Sequence, residues 1–206
     1  MTLNHSDNPG SVADLCRRLP GLPKWLLLAV LTGMLAPALG RQYEHGGASL
    51  ALERSVKAGF LTKFLSYAEF PPHAFAGPGA ALVIGVYGAD ALAHEVGRMV
   101  AGRTINGRPV SVRLLHENDE PVAVHLLFVA GTDSAMVTHI LQQWSPAPIL
   151  LVSECSHGLQ AGSAINFRVI EHQVRFDVAV DAAEKNSIKL SSRLLSVANH
   201  VIKGVP

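Results

Sequence analysis

Ala164-Ile-Asn-Phe-Arg-Val-Ile170, Glu171-His-Gln173 and Val174-Arg-Phe-Asp-Val-Ala-Val180 form one continuous stretch, and it decides the fold. Apolar and polar side chains alternate in both arms, the period of a half-buried strand. The short polar connection between them predicts an antiparallel hairpin. Ile165, Phe167, Val174 and Phe176 then share an apolar face that packs inward. Asn166, Arg168, Arg175 and Asp177 share the opposite, polar face. An apolar sheet face needs a second layer to cover it.

That layer is legible on both sides of the hairpin. Upstream, Ala81–Tyr87, Val124–Val129 and Pro148–Ser153 are short runs that suit buried strands, and Pro109–Leu115 reads as a strand with alternating sides. Helical patterns lie between them over 90–101 and from Thr132 or Asp133 to Trp144, where either residue can serve as N-cap. Thr104-Ile-Asn-Gly-Arg108 carries the Asn-Gly turn signal. Leu50–Phe70 opens the domain as an amphipathic helix, with Val56, Phe60, Phe64 and Tyr67 on its apolar stripe. Pro71-Pro72 ends it, because a residue before proline avoids helical geometry. Downstream, Asp181 to about Lys203 reads as one long final helix striped by Ile188, Leu194, Leu195, Val197 and Val201. The expected fold is a single α/β domain. A mixed sheet of about six strands is covered by helices and closed by a C-terminal hairpin and a long last helix.

The N-terminus is of another kind. Arg17, Arg18 and Lys24 precede the uncharged run Trp25–Leu35, and the small residues Ala36, Ala38 and Gly40 follow. A basic flank, a short apolar core and a small-residue exit make a secretory signal peptide. The run is short for a bilayer crossing, which needs about 20 residues. The expected organisation is a signal peptide with a polar leader over 1–40, a flexible leader over 41–52 and the domain over 53–203, delivered to the periplasm. Removing Arg17, Arg18, Lys24, Asp7 and Asp14 from the 17 basic and 16 acidic residues leaves 14 of each. A domain with no basic excess is a poor nucleic-acid binder.

Chemistry is sparse in the domain. Cys16 precedes the apolar core, so Cys155 alone stays in the mature chain, as a free thiol. Cys155 and His157 could in principle form a nucleophile pair. His116, His125, His139, His157 and His172 are scattered, without the tight spacing of a metal site. Gly85-Val-Tyr-Gly88-Ala-Asp90 lacks the three-glycine dinucleotide fingerprint, so it reads as a plain turn needing positive φ. Asp177 and Asp181 could pair as carboxylates, but a strand end and a helix cap explain them better. No cofactor, metal or catalysis is expected. The best candidate for partner contact is the polar hairpin face, Asn166, Arg168, Arg175 and Asp177. Arg103 and Arg108, beside the Asn-Gly turn, come next, since arginine is enriched at interfaces.

Several stretches, taken in order, resemble the YfiR family. They are Val56–Pro71 with its aromatic-Pro ending, Leu82–Gly88, Ile105-Asn-Gly-Arg-Pro-Val-Ser-Val-Arg113, His125–Val129, Pro148–Ser153, the hairpin strands, and Leu190–Leu195. The likeness spans about residues 53–203. It implies a periplasmic, non-catalytic regulator. Such a protein binds the periplasmic sensor part of an inner-membrane diguanylate cyclase, holds it inactive and lowers cyclic di-GMP. An outer-membrane lipoprotein that titrates the repressor away is a further implied partner, and a homodimer is a possible assembly. The assigned repressors carry disulfide-forming cysteines. Here Cys155 falls near one such position, but position 166 is Asn. The alternative is a periplasmic module that senses a small molecule at the C-terminal ends of the strands.

Overall fold

A computed structural model describes residues 42–117, 119 and 122–204. The signal-peptide reading of 1–40 therefore lies outside the described residues. In chain order the elements are α1 (Gln42–Tyr67), β1 (Ala68–Glu69), a 3-10 turn (Pro72–Ala74), β2 (Leu82–Tyr87), α2 (Asp90–Val100), β3 (Thr104–Ile105) and β4 (Arg108–Leu115). Next come β5 (Leu126–Val129), α3 (Ser134–Gln143), β6 (Leu150–Ser153), β7 (Ile165–Ile170) and β8 (Gln173–Ala179). The chain closes with α4 (Val180–Lys185), β9 (Lys189–Leu190), α5 (Ser192–Val197) and β10 (His200–Ile202).

The expected mixed α/β architecture is present. Its main sheet has eight strands in the order β10-β8-β7-β6-β5-β2-β4-β3. The expected count of about six misses the two short edges, β3 and β10. From β4 to β7 every neighbouring pair is parallel. The β7–β8 hairpin pairs antiparallel as expected, with Phe167 opposite Phe176 and Gln173 already in β8. Its turn puts Glu171 and His172 at φ 49° and 60°. The Asn-Gly signal also holds: Asn106 and Gly107 take φ 51° and 76°, and β3 pairs antiparallel with β4.

Strand alternation divides the core between the two faces of the sheet. Leu126 and Phe128 of β5 join Leu61, Phe64 and Leu65 of α1 and Leu92, Val96 and Val100 of α2. Leu127 and Val129 point the other way, to Val137, Ile140 and Leu141 of α3. Each fully buried Leu, Val or Phe contributes roughly 1.5–3 kcal/mol. α3 starts where predicted, with Asp133 Oδ1 accepting from the Ala135 and Met136 amides at 2.9 and 3.4 Å. Asp133→Ala is expected to lower stability by about 1 kcal/mol in urea unfolding.

Two expectations need correction. Helix α1 starts at Gln42, so 42–52 is helical and not a flexible leader. The compact domain itself starts at Ala48. The single long helix from Asp181 to Lys203 does not form. Asn186 ends α4, Ser187 turns the chain at φ 60°, and Ile188 drops into the core. Ser191 then caps a second short helix by accepting from the Leu194 amide, and Asn199 leads into edge strand β10. The apolar spacing suits a helix, but those side chains serve two layers.

Candidate functional site

The hairpin does line up its four polar residues. Asn166 stands opposite Asp177 and Arg168 opposite Arg175, on the side away from Phe167 and Phe176. Depth separates them. Arg168 and Arg175 reach solvent, whereas Asn166 and Asp177 are 4% and 6% exposed.

Asn166 is fully engaged inside the protein. Its Oδ1 accepts from the Ser153 hydroxyl at 2.7 Å, and its Nδ2 donates to the Cys155 carbonyl at 3.0 Å. Ser153 is also 2.8 Å from the Ser163 hydroxyl. The 155–163 loop thus seals the inner half of the polar face. Asp177 anchors the sheet edge: its Oδ1 accepts from Asn199 Nδ2 at 2.7 Å and lies 3.2 Å from His200 Nδ1. Arg168 Nη1 is 3.7 Å from Asp177 Oδ2, yet its side chain stays 56% exposed. Among the described residues, Arg175 reaches only Gln173, its neighbour on β8. Two arginines therefore remain available at the outer half of the face, held side by side by strand pairing.

On the opposite side of the same hairpin, α1 leaves an apolar groove of about 340 Å³. Leu52, Val56 and Phe60 of α1 face Val169 and Val174, with Glu53, His172 and Gln173 at the rim. Leu52 is 67% and Val169 54% exposed. The sequence reading missed this groove because Val56 sits on the stripe assigned to the core. Beside it, Lys57 bridges Glu53 and Glu154 at 2.5 and 2.6 Å, tying α1 to the end of β6. Burial works against the Lys57 charge, but the hydrogen bonds and charges of Glu154 and Glu53 outweigh it and raise the pKa above the ordinary lysine value.

Arg103 and Arg108 do not join this surface. Four strand spacings separate β4 from β7, roughly 19 Å at the usual interstrand distance. Arg108 is also occupied: it donates to the Gly77 and Ala80 carbonyls and lies 3.7 Å from the centre of the Phe75 ring. Arg103 is exposed near the turn.

A family profile described as YfiR/HmsC-like matches residues 54–199. The chain belongs to the YfiR/HmsC-like family. No curated protein matches it. In this YfiR/HmsC-like domain the positions where the resemblance raised disulfide chemistry are neighbours in space. Cys155 is a buried free thiol, 2% exposed, and position 166 donates an amide hydrogen bond to its carbonyl. Cys155 packs with Leu151, Ile140 and Leu141 on the α3 side of the sheet, while His157 is exposed. Among the described residues, no three His, Cys, Asp or Glu side chains converge to hold a metal ion. Gly88 has φ 74°, as the plain-turn reading requires. Asp181 lies in the first turn of α4 and accepts from the Gly204 amide at 2.7 Å. At the C-terminal ends of β2 and β4, Tyr87, His116 and Trp144 line a cavity of about 120 Å³. Small-molecule sites usually offer about 300–1,000 Å³. No helix among the described residues is long and apolar enough to cross a membrane.

Proposed function

We propose that the protein is a periplasmic, non-catalytic regulator that binds the periplasmic sensor part of an inner-membrane signalling protein, represses a diguanylate cyclase and lowers cyclic di-GMP. The observation that carries this reading is the family match over 54–199. Within the domain we assign docking to the outer hairpin, with Arg168 and Arg175 as its charged contacts. Arginine is a common hot-spot residue when a partner desolvates it, and these two are exposed and preset by the β7–β8 register. An acidic patch on the sensor is the complementary chemistry.

Affinity capture from native membranes tests the reading. The tagged protein is expected to bring down a transmembrane cyclase, and its deletion is expected to raise cellular cyclic di-GMP. The Arg168→Gln/Arg175→Gln double variant should lose at least tenfold in capture. Its stability should change little, since glutamine brings no like charge beside the buried Asp177, which keeps its hydrogen bond from Asn199. Undiminished capture by the double variant would move the docking surface elsewhere. Unchanged cyclic di-GMP on deletion would overturn the regulatory reading itself.

A further inference from the structure

The start of β5 carries a histidine that docking at the hairpin does not use. His125 is only 4% exposed. Its backbone amide donates to the Val83 carbonyl at 2.8 Å, and its Nδ1 accepts from the Val83 amide at 3.1 Å. A ring nitrogen that accepts carries no proton, so the neutral imidazole keeps its proton on Nε2. Nε2 is buried and makes no well-formed hydrogen bond among the described residues, and the Ala74 backbone of the strap is the polar group that acts on the ring. Phe75 stacks on the ring with centroids 4.8 Å apart and planes 28° apart, and Phe70 meets it edge-on at 5.6 Å. Arg108 lies against the same Phe75 ring and holds the Gly77 and Ala80 carbonyls.

These contacts fasten the strap from Phe70 to Ala80. The strap contains two adjacent prolines, a 3-10 turn without buried residues and Gly77-Pro78-Gly79, and none of it belongs to a strand. We propose that the His125–Phe75–Arg108 cluster is an acid-released clasp, and that protonation of His125 frees this strap from the ends of β2 and β5. A second proton has to enter at Nδ1, and a protonated Nδ1 cannot accept from Val83. That step leaves a buried amide without a partner and sets a second cation against the ring that already carries Arg108. Among the other groups nearby, His73 on the strap is exposed, and the sequences of β2 and β6 contain no carboxylate and no basic residue.

The direction of the pH effect follows. Burial lowers the His125 pKa below its ordinary 6.5; the hydrogen bond with the Ala74 backbone opposes it, and the smaller effect of the Arg108 charge adds to the lowering. The closed strap therefore binds fewer protons than the open one. Closure is at full strength above about pH 6.5 and weakens as the pH falls through 6.5 towards the lowered value.

Hydrogen exchange on the purified protein, corrected for the intrinsic pH dependence, tests the clasp. Between pH 7.5 and pH 5.0 the Val83 amide and the 71–81 peptide are expected to exchange at least tenfold faster, while Leu150–Ser153 stays protected. His125→Phe should abolish that acceleration. Equal protection of the strap at both pH values, or acceleration that persists in His125→Phe, would overturn the proposal. Should the variant fail to fold, the wild-type protein decides by NMR. The His125 imidazole, the Val83 amide and the Phe75 ring must titrate with one midpoint, and separate midpoints reject the clasp.

Discussion

Replacing Gly158 with alanine is expected to lower stability by about 3 kcal/mol or more, read as a loss of urea midpoint at unchanged slope. A Cβ at position 158 would stand 2.1 Å from Ser153 Oγ and 2.2 Å from Asn166 Oδ1. Neither atom is the loose end of a flexible side chain. Both belong to buried residues joined by a 2.7 Å hydrogen bond and tied further to Ser163 and to the Cys155 carbonyl. Overpacking alone costs about 1–3 kcal/mol, and each buried polar group pushed off its partner adds about as much. Gly97→Ala is the matched control. Nothing lies within 4 Å of its Cβ position, inside α2, so it should stabilise by about 0.5–1 kcal/mol. A Gly158→Ala protein within 1 kcal/mol of wild type would show that the 155–163 loop seats less tightly under the hairpin than these distances state.

The contrast between Gly158 and Gly97 also shows where sequence reading stops. Local patterns were legible: alternation in β7 and β8, the Asn-Gly turn at 106–107, the Asp133 cap and the stripe on α1 all reflect contacts within a few residues. The face of Asn166, Arg168, Arg175 and Asp177 was legible too, because a strand has period two. Its depth was not. Asn166 and Asp177 are covered by the 155–163 loop and by β10, segments that reach them only through the tertiary fold. The break in the expected last helix rests on Ser187, a serine in left-handed geometry, at a position with no glycine to signal it. Arg108 looked like an interface arginine because its backbone-carbonyl partners, Gly77 and Ala80, lie far upstream. The His125 cluster joins residues from three separate stretches, and no spacing rule links them.

Phe64→Ala should cost about 3–5 kcal/mol, the usual range for a buried phenylalanine cut back to alanine. Domains of this kind hold only about 5–15 kcal/mol in total, so the variant sits near the edge of folding. Phe64 is 0% exposed. It stacks on Phe60 at 5.9 Å and on Phe167 at 5.7 Å, and meets Phe176 edge-on at 5.0 Å. These rings fasten α1 to the hairpin, so the loss should loosen α1 before the parallel strands. Exchange of the 56–67 amides is expected to rise more than that of Leu126–Val129. Phe64→Leu, which keeps most of the volume, should recover more than half of the loss. The comparison with the hairpin arginines then separates folding from docking. Phe64 presents no surface to a partner, so weaker capture by Phe64→Ala must follow its loss of stability and recover in Phe64→Leu. The Arg168→Gln/Arg175→Gln variant should lose capture with its stability intact. If the arginine variant instead unfolds to the same extent as Phe64→Ala, the outer hairpin face is part of the scaffold and the docking assignment fails.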